Sequence, residues 1–183
     1  MPNYILTGTP GSGKTAVLRQ LELSGHAVVE EAATDVIALR QALGVDEPWR
    51  DPRFIDRIVA LQRQRQLAVD PRTRGSVFFD RSPACTLALS RQLDRPAPRC
   101  LIDEIERMAA EGVYERTVFF VRNQGFVEPT AARRISFEDS LVFERVHEEA
   151  YRALGFELID VPAAPLPARV ELIEATVETL RTS

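Results

Sequence analysis

Residues 8–15 read Gly8-Thr9-Pro10-Gly11-Ser12-Gly13-Lys14-Thr15, a match to GxxxxGK[ST] at every fixed position, and this string constrains the fold more than any other in the chain. The pattern carries meaning only between an apolar strand and a helix. Tyr4-Ile5-Leu6-Thr7 supplies the strand, and residues 13–24, with Ala16, Val17, Leu18 and Leu21 ahead of Gly25, supply the helix. Glycines let the backbone curl so that successive N–H groups face inward, and the helix start adds the positive end of its dipole. Such a loop is expected to hold a nucleotide's phosphates with Gly8, Thr9, Pro10, Gly11, Ser12, Gly13, Lys14, Thr15 and Ala16. Lys14 should reach the β- and γ-phosphates, and the Thr15 hydroxyl should meet Mg²⁺. No Asn-Lys-x-Asp string, the usual reader of guanine, occurs, so ATP is the expected nucleotide.

After the loop, short apolar runs alternate with helical patterns. Residues 26–30, 76–80, 117–121 and 156–161 read as further strands, the run 76–80 as a fully buried one. Helical spacing marks 34–43, 53–69, 84–93, 99–112, a helix that ends at Gly155, and 168–181. Ser136-Phe137-Glu138-Asp139 resembles a capping box at the start of the helix that runs to Gly155. Glu47-Pro48 and Asp51-Pro52 read as chain breaks, and 162–167 as a linker. Five strands separated by helices predict an α/β fold, a parallel sheet covered on both faces.

The chain has 183 residues, 45% of them hydrophobic, with no repeat, low-complexity tract or shift in composition. The expectation is one domain over 1–183, large enough to bury a core without disulfides or metals. Cys85 and Cys100 lack metal or CxxC spacing and read as reduced thiols, buried or half-buried. No run of about 18 apolar residues predicts a membrane span, and the first residues lack the basic segment of a secretion signal, which makes the cytoplasm the default. With 23 basic against 27 acidic side chains, net charge −4, a general nucleic-acid binder is disfavoured.

In such sheets ligands sit beyond the carboxyl ends of the strands. Asp80 ends the third apolar strand, where a carboxylate orients Mg²⁺ directly or through water. Arg81 follows it. An arginine stays protonated and cannot act as the base that polarises a water, but it suits holding a substrate or neutralising phosphoryl charge. Ser82-Pro83 can cap the next helix. Glu30 and Glu31 end the second strand, and either could take a proton from a substrate hydroxyl. Glu31 is preferred because Ala32 and Ala33 leave room beside it, although neighbouring strand residues face opposite sides. Residues 122–135 show no clean period and read as a lid, with Arg134, Arg133 or Arg122 as the arginine that closes over ATP. The run Gln62–Gln66 could lend one Gln and one Arg to a pocket or form a solvated face. Trp49 could line that pocket or pack locally, and His26 and His147 read as ordinary surface or packing residues.

These residues together resemble the P-loop kinase superfamily of nucleoside and nucleotide kinases. The chain is most similar to the family of small predicted ATPases or kinases grouped with the ribosylnicotinamide kinase domain. The resemblance rests on Tyr4–Gly8 with its loop, Glu31-Ala32-Ala33, Asp80-Arg81-Ser82, a lid arginine ahead of Ser136, and Tyr151-x-x-Leu154-Gly155-Phe156. It implies a sheet of order 2-3-1-4-5 with the lid after strand four. Deoxynucleoside kinases carry Glu-Pro after strand two and Glu-Arg-Ser after strand three; here Ala32 replaces the proline and Asp80 the glutamate. By that analogy Glu31 is the base and Arg81 binds substrate or phosphate. The expected activity is transfer of the γ-phosphoryl of ATP to a hydroxyl of a small-molecule acceptor, with Lys14, Glu31, Asp80, Arg81 and Arg134 as the catalytic set and Thr15 and Asp80 on Mg²⁺. A regulatory ATPase that acts through a protein partner is the alternative.

Overall fold

In the computed structural model, residues 1–125 and 137–182 are described. Alternating burial explains the strands: Tyr4 and Leu6 point into one core, and Ile5 into another. β1 (Asn3–Thr7), β2 (Ala27–Val29), β3 (Val77–Asp80), β4 (Thr117–Val121) and β5 (Glu157–Val161) pair in parallel in the order β2-β3-β1-β4-β5. β1, β3 and β4 are buried almost throughout, whereas the outer strands β2 and β5 are half-exposed.

α1 (Lys14–Leu23) and α7 (Leu166–Thr182) cover one face, where Val17, Leu18, Leu21, Val170, Ile173 and Val177 meet Phe78 and Phe119. The other face carries α2 (Ala32–Ala42), α3 (Phe54–Leu67), α4 (Pro83–Gln92), α5 (Arg99–Ala110) and α6 (Phe137–Ala153). No helix of the described residues is long and apolar enough to cross a membrane.

Register places the site. Leu6 lies opposite Asp80, so the end of β3 stands beside the start of the glycine loop. Val29 lies opposite Phe79, which brings Glu30 and Glu31 to the same edge. The chain leaves β1 toward β2 and β3 on one side and later fills β4 and β5 on the other, so the crevice opens where the strand order reverses.

The segment read as a break around Pro48 is a 3₁₀ turn, Pro48–Arg50. The expected linker is shorter than the sequence suggested, because α7 begins at Leu166 and takes Pro167 into its first turn, where a missing N–H costs nothing. Ser82 does precede α4, yet its hydroxyl does not cap the helix; it lies 2.9 Å from the Tyr151 hydroxyl. Cys100 is exposed rather than buried, its thiol donating to Asp56 Oδ1 at 3.1 Å. Of the expected lid, 122–135, residues 126–135 with Arg133 and Arg134 lie outside the described residues, as does the capping-box Ser136.

Candidate functional site

The glycine loop closes tightly on its surroundings. Gly8 adopts φ +150° against β4, and a Cβ there would run into the Val121 carbonyl oxygen, a backbone atom fixed by the sheet. Gly8→Ala is therefore expected to destabilise the fold by about 2–4 kcal/mol in urea unfolding, through backbone strain and overpacking together. Gly13 caps α1 in the left-handed region at φ 77°. A side chain there would meet Gln124 and Arg169. Both residues hold the loop from outside: Gln124 Nε2 donates to the Ser12 carbonyl at 3.1 Å and Arg169 Nη2 at 2.7 Å.

Lys14 turns inward, 5% exposed, and its ammonium donates to Asp80 Oδ1. The pair joins the first residue of α1 to the last of β3. Thr15 and Ala16 are exposed on the solvent side of the same turn. Inside the loop, the hydroxyls of Thr9 and Ser12 are buried with no hydrogen-bond partner among the described residues. Orphaned hydroxyls in a glycine-lined concavity fit a bound phosphate group. The hard oxygen donors of Thr15 and Asp80 suit Mg²⁺. No cluster of three or more His, Cys, Asp or Glu that could cage a metal occurs among the described residues.

The two glutamates separate. Glu30 is half-exposed and pairs with Arg19 of α1. Glu31, at the N-cap of α2, turns toward β3, its Oε1 2.6 Å from Arg81 Nε. That contact is an ion pair whose N–H is not aligned as a hydrogen bond. Arg65 of α3 fixes this turn by donating to the carbonyls of Glu30 (3.0 Å) and Glu31 (2.7 Å). The polar run Gln62–Gln66 thus supplies a strut at Arg65, while Gln62 Oε1 accepts from the Thr86 hydroxyl at 3.0 Å.

Arg81 is the hub. It sits at φ 72°, a left-handed conformation that strains a residue with a long side chain, and its N–H extends the ladder to Leu6 O at 3.0 Å. Its Nη1 lies 2.9 Å from Cys85 Sγ and 3.1 Å from His147 Nε2. Burial opposes the guanidinium charge, but the Cys85 hydrogen bond and the Glu31 and Asp80 carboxylates outweigh it and hold Arg81 above its ordinary pKa. Cys85 lies one helical turn further on, its thiol 2.8 Å from His147 Nε2. Burial pushes that thiol up, so it stays protonated.

His147, read from sequence as a surface or packing residue, is fully buried in this cluster. Its Nδ1 is 2.9 Å from the Phe143 carbonyl, which can only accept. Nδ1 therefore carries the proton, and Nε2 presents a lone pair to Arg81 and Cys85. Burial, reinforced by the Arg81 charge, drives the imidazole pKa down to about 3.

A cavity of about 470 Å³ opens between this cluster and the loop, with Pro10, Glu31 and Arg81 at one end. The remainder mixes apolar residues, Trp49, Phe54, Leu89, Leu93 and Phe143 among them, with the polar Thr34, Glu47, Gln62 and Thr86. Trp49 is thus a pocket residue. Arg122, one of three candidates for the lid arginine, is instead pinned by Glu144 (3.1 Å), Glu148 (3.2 Å) and Asp160 (2.7 Å), its guanidinium 4.4 Å from the centre of the Phe120 ring. Arg133 and Arg134 lie outside the described residues.

Arg169, Gln124 and His147 are the site residues that the sequence reading missed. Two of them carried a signal. Arg169 shares a stripe at four-residue spacing with Ile173 and Val177, and His147 with Phe143 and Tyr151, so each is a polar residue on the buried face of its helix.

The fold and this loop define a P-loop domain of the α/β class. The chain belongs to the AAA-domain family, whose model matches residues 3–169. No curated protein matches it in sequence. Among solved structures it is similar to deoxyadenosine kinase from M. mycoides with bound dCTP, at 14% identity and TM-score 0.64, covering 98% of this chain and 100% of that one. It is also similar to the NadR protein in complex with NR, at 15% identity and TM-score 0.63, covering 87% of this chain but 43% of the other. At these identities the likeness is one of fold.

Proposed function

We propose that the protein is an ATP-dependent kinase that moves the γ-phosphoryl group to a hydroxyl of a small molecule. The observation that carries this reading is the cavity, whose lining includes Pro10 of the glycine loop together with Glu31 and Arg81, so an acceptor held there would face the phosphates. The fold shared with deoxyadenosine kinase supports it. The acceptor oxygen attacks the γ-phosphorus, the bond to the β–γ bridging oxygen breaks, and ADP leaves with that electron pair. Glu31 receives the hydroxyl proton. Lys14 leaves Asp80 for the β- and γ-phosphate oxygens, and Arg81 faces the spreading charge, with Arg134 as the expected lid arginine. Thr15 and Asp80 would hold Mg²⁺, which supplies charge neutralisation on the phosphate oxygens when bound. Catalysis of this kind is mostly positioning and electrostatics.

The test is ATP consumption over a panel of nucleosides, vitamins and small alcohols, with Lys14→Ala as the blank. Wild type should bind Mg·ATP and consume it only when an acceptor is present, and Lys14→Ala should bind at least about tenfold more weakly. Removing Lys14 also strands a buried Asp80, so thermal unfolding must show the variant folded. Nucleotide binding with hydrolysis indifferent to every acceptor would favour the regulatory ATPase instead.

A further inference from the structure

Resting on the kinase reading, we propose that the acceptor is an uncharged alcohol with an extended apolar body, and not a compound that already carries a phosphate. The cavity has the Glu31–Arg81 ion pair at one end, and over the rest of its wall apolar residues outnumber the polar Thr34, Glu47, Gln62 and Thr86. Glu31 and Arg81 stand at the N-terminal ends of α2 and α4, beside the glycine loop. Following the same helices away from the loop, the lining includes Ala33, Thr34 and Ile37 on α2 and Cys85, Thr86, Leu89 and Leu93 on and just beyond α4. Cys85, Leu89 and Leu93 are spaced four residues apart, so one stripe of α4 runs down the cavity wall. Trp49, Phe54 and Phe143 close the cavity with flat aromatic surface, which favours a planar or hydrocarbon body.

Charge argues against an anionic acceptor. Among the described lining residues the ionised groups are Glu31, Glu47 and Arg81, two carboxylates to one guanidinium. The guanidinium charge is already met by Glu31, 2.6 Å from its Nε, and its Nη1 contacts Cys85 and His147. A phosphate entering this cavity would lose its hydration, meet one guanidinium whose charge Glu31 already offsets, and face Glu47 as a second like charge. A hydroxyl beside Glu31, by contrast, finds an acceptor for its proton, and the hydrocarbon behind it replaces water along the apolar wall.

Trp49 is the chain's only tryptophan and lines this cavity, so its emission reports acceptor binding without any turnover. The experiment titrates the protein, without ATP, with phenylalkyl alcohols of increasing chain length and with their phosphate monoesters. Saturable changes in emission are expected, with affinity rising roughly fourfold per buried methylene and with each monoester binding at least about tenfold more weakly than its alcohol. Leu89→Arg, which adds a cation to the wall, should narrow or reverse that preference, and its own Mg·ATP affinity and thermal unfolding show whether it has folded. Monoesters that bind wild type as tightly as the alcohols overturn the proposal. So does the absence of saturation with any alcohol, or an affinity indifferent to chain length. Alcohols that bind but never trigger ATP consumption would leave the acceptor class standing and sink the kinase reading; phosphorylated acceptors that are turned over would do the reverse.

Discussion

Arg81→Lys is expected to lower kcat/KM for phosphoryl transfer by about 10²–10³-fold, the range seen when one fixed donor is removed from developing charge, while Mg·ATP affinity changes by less than about threefold. The substitution keeps the charge and loses the shape. Arg81 uses separate atoms of its fork: Nε faces Glu31 Oε1 at 2.6 Å, and Nη1 faces Cys85 Sγ at 2.9 Å and His147 Nε2 at 3.1 Å. A lysine ammonium is a single point on a flexible stem and cannot occupy both positions. Glu31 then loses the guanidinium at its Oε1 while the Thr34 hydroxyl still donates to its Oε2 at 2.9 Å, and His147 and Cys85 are left with a shared lone pair and thiol in a dry setting. The left-handed backbone at φ 72° remains strained in the lysine variant, so its fold gains nothing to offset the loss. Arg81→Gly provides the contrast. Glycine takes that backbone conformation without strain, so its stability should fall less than that of Arg81→Ala although both lack the guanidinium. Steady-state rates on an accepted alcohol, beside urea midpoints for the three variants, separate the two effects. A lysine variant within threefold of wild-type turnover would show that charge alone matters at this position.

How much of this was legible in the chain follows from the range over which each interaction acts. The glycine loop is local, and eight consecutive residues state both its backbone shape and its lysine. The strands were legible because the buried ones are continuous apolar runs, Val77–Phe79 ahead of Asp80 above all. Asp80 and Arg81 could be picked out because a charge at the end of such a run is conspicuous. The choice between Glu30 and Glu31 depends on what each meets across space: Arg19 of α1 for one and Arg81 beyond β3 for the other. No single-sequence period encodes that. Arg122 shows the same limit from the other side, since an arginine just past a strand reads as available until Glu144, Glu148 and Asp160 are seen around it. The 3₁₀ turn at Pro48–Arg50 was read as a break because prolines mark turns well but say little about what the turn presents, here Trp49 to the cavity. His147 and Arg169 were visible only as polar interruptions of apolar stripes, a pattern that marks burial and leaves the partner unstated.

His147 should also make the fold acid-sensitive in a way that a neutral substitute removes. In the unfolded chain a histidine takes up a proton near its ordinary pKa of 6.5, while in the folded protein burial beside Arg81 holds the pKa down to about 3. Below 6.5 the unfolded state therefore binds the extra proton and the folded state does not. Stability contributed by this group is complete above pH 6.5 and falls by about 1.4 kcal/mol for each pH unit below it, until the folded value near 3 is reached. His147→Gln keeps an acceptor for the Arg81 and Cys85 hydrogens and cannot be protonated in this range. It gives up the Nδ1–H bond to the Phe143 carbonyl and the edge-on ring contact with Phe143, whose centroid lies 4.1 Å away. The variant should be less stable than wild type at pH 7.5 by about 1–3 kcal/mol. Between pH 6.5 and 4 wild type should lose about 3.5 kcal/mol that the variant does not, so the two stabilities converge and then reverse in order, because carboxylates elsewhere titrate alike in both proteins and cancel in the difference. Urea unfolding at half-unit pH steps reads that difference directly. A constant gap across the range would mean that the imidazole accepts a proton in the folded state as readily as in the unfolded chain, and the geometry assigned to Nε2, a lone pair facing a guanidinium and a thiol, would have to be wrong.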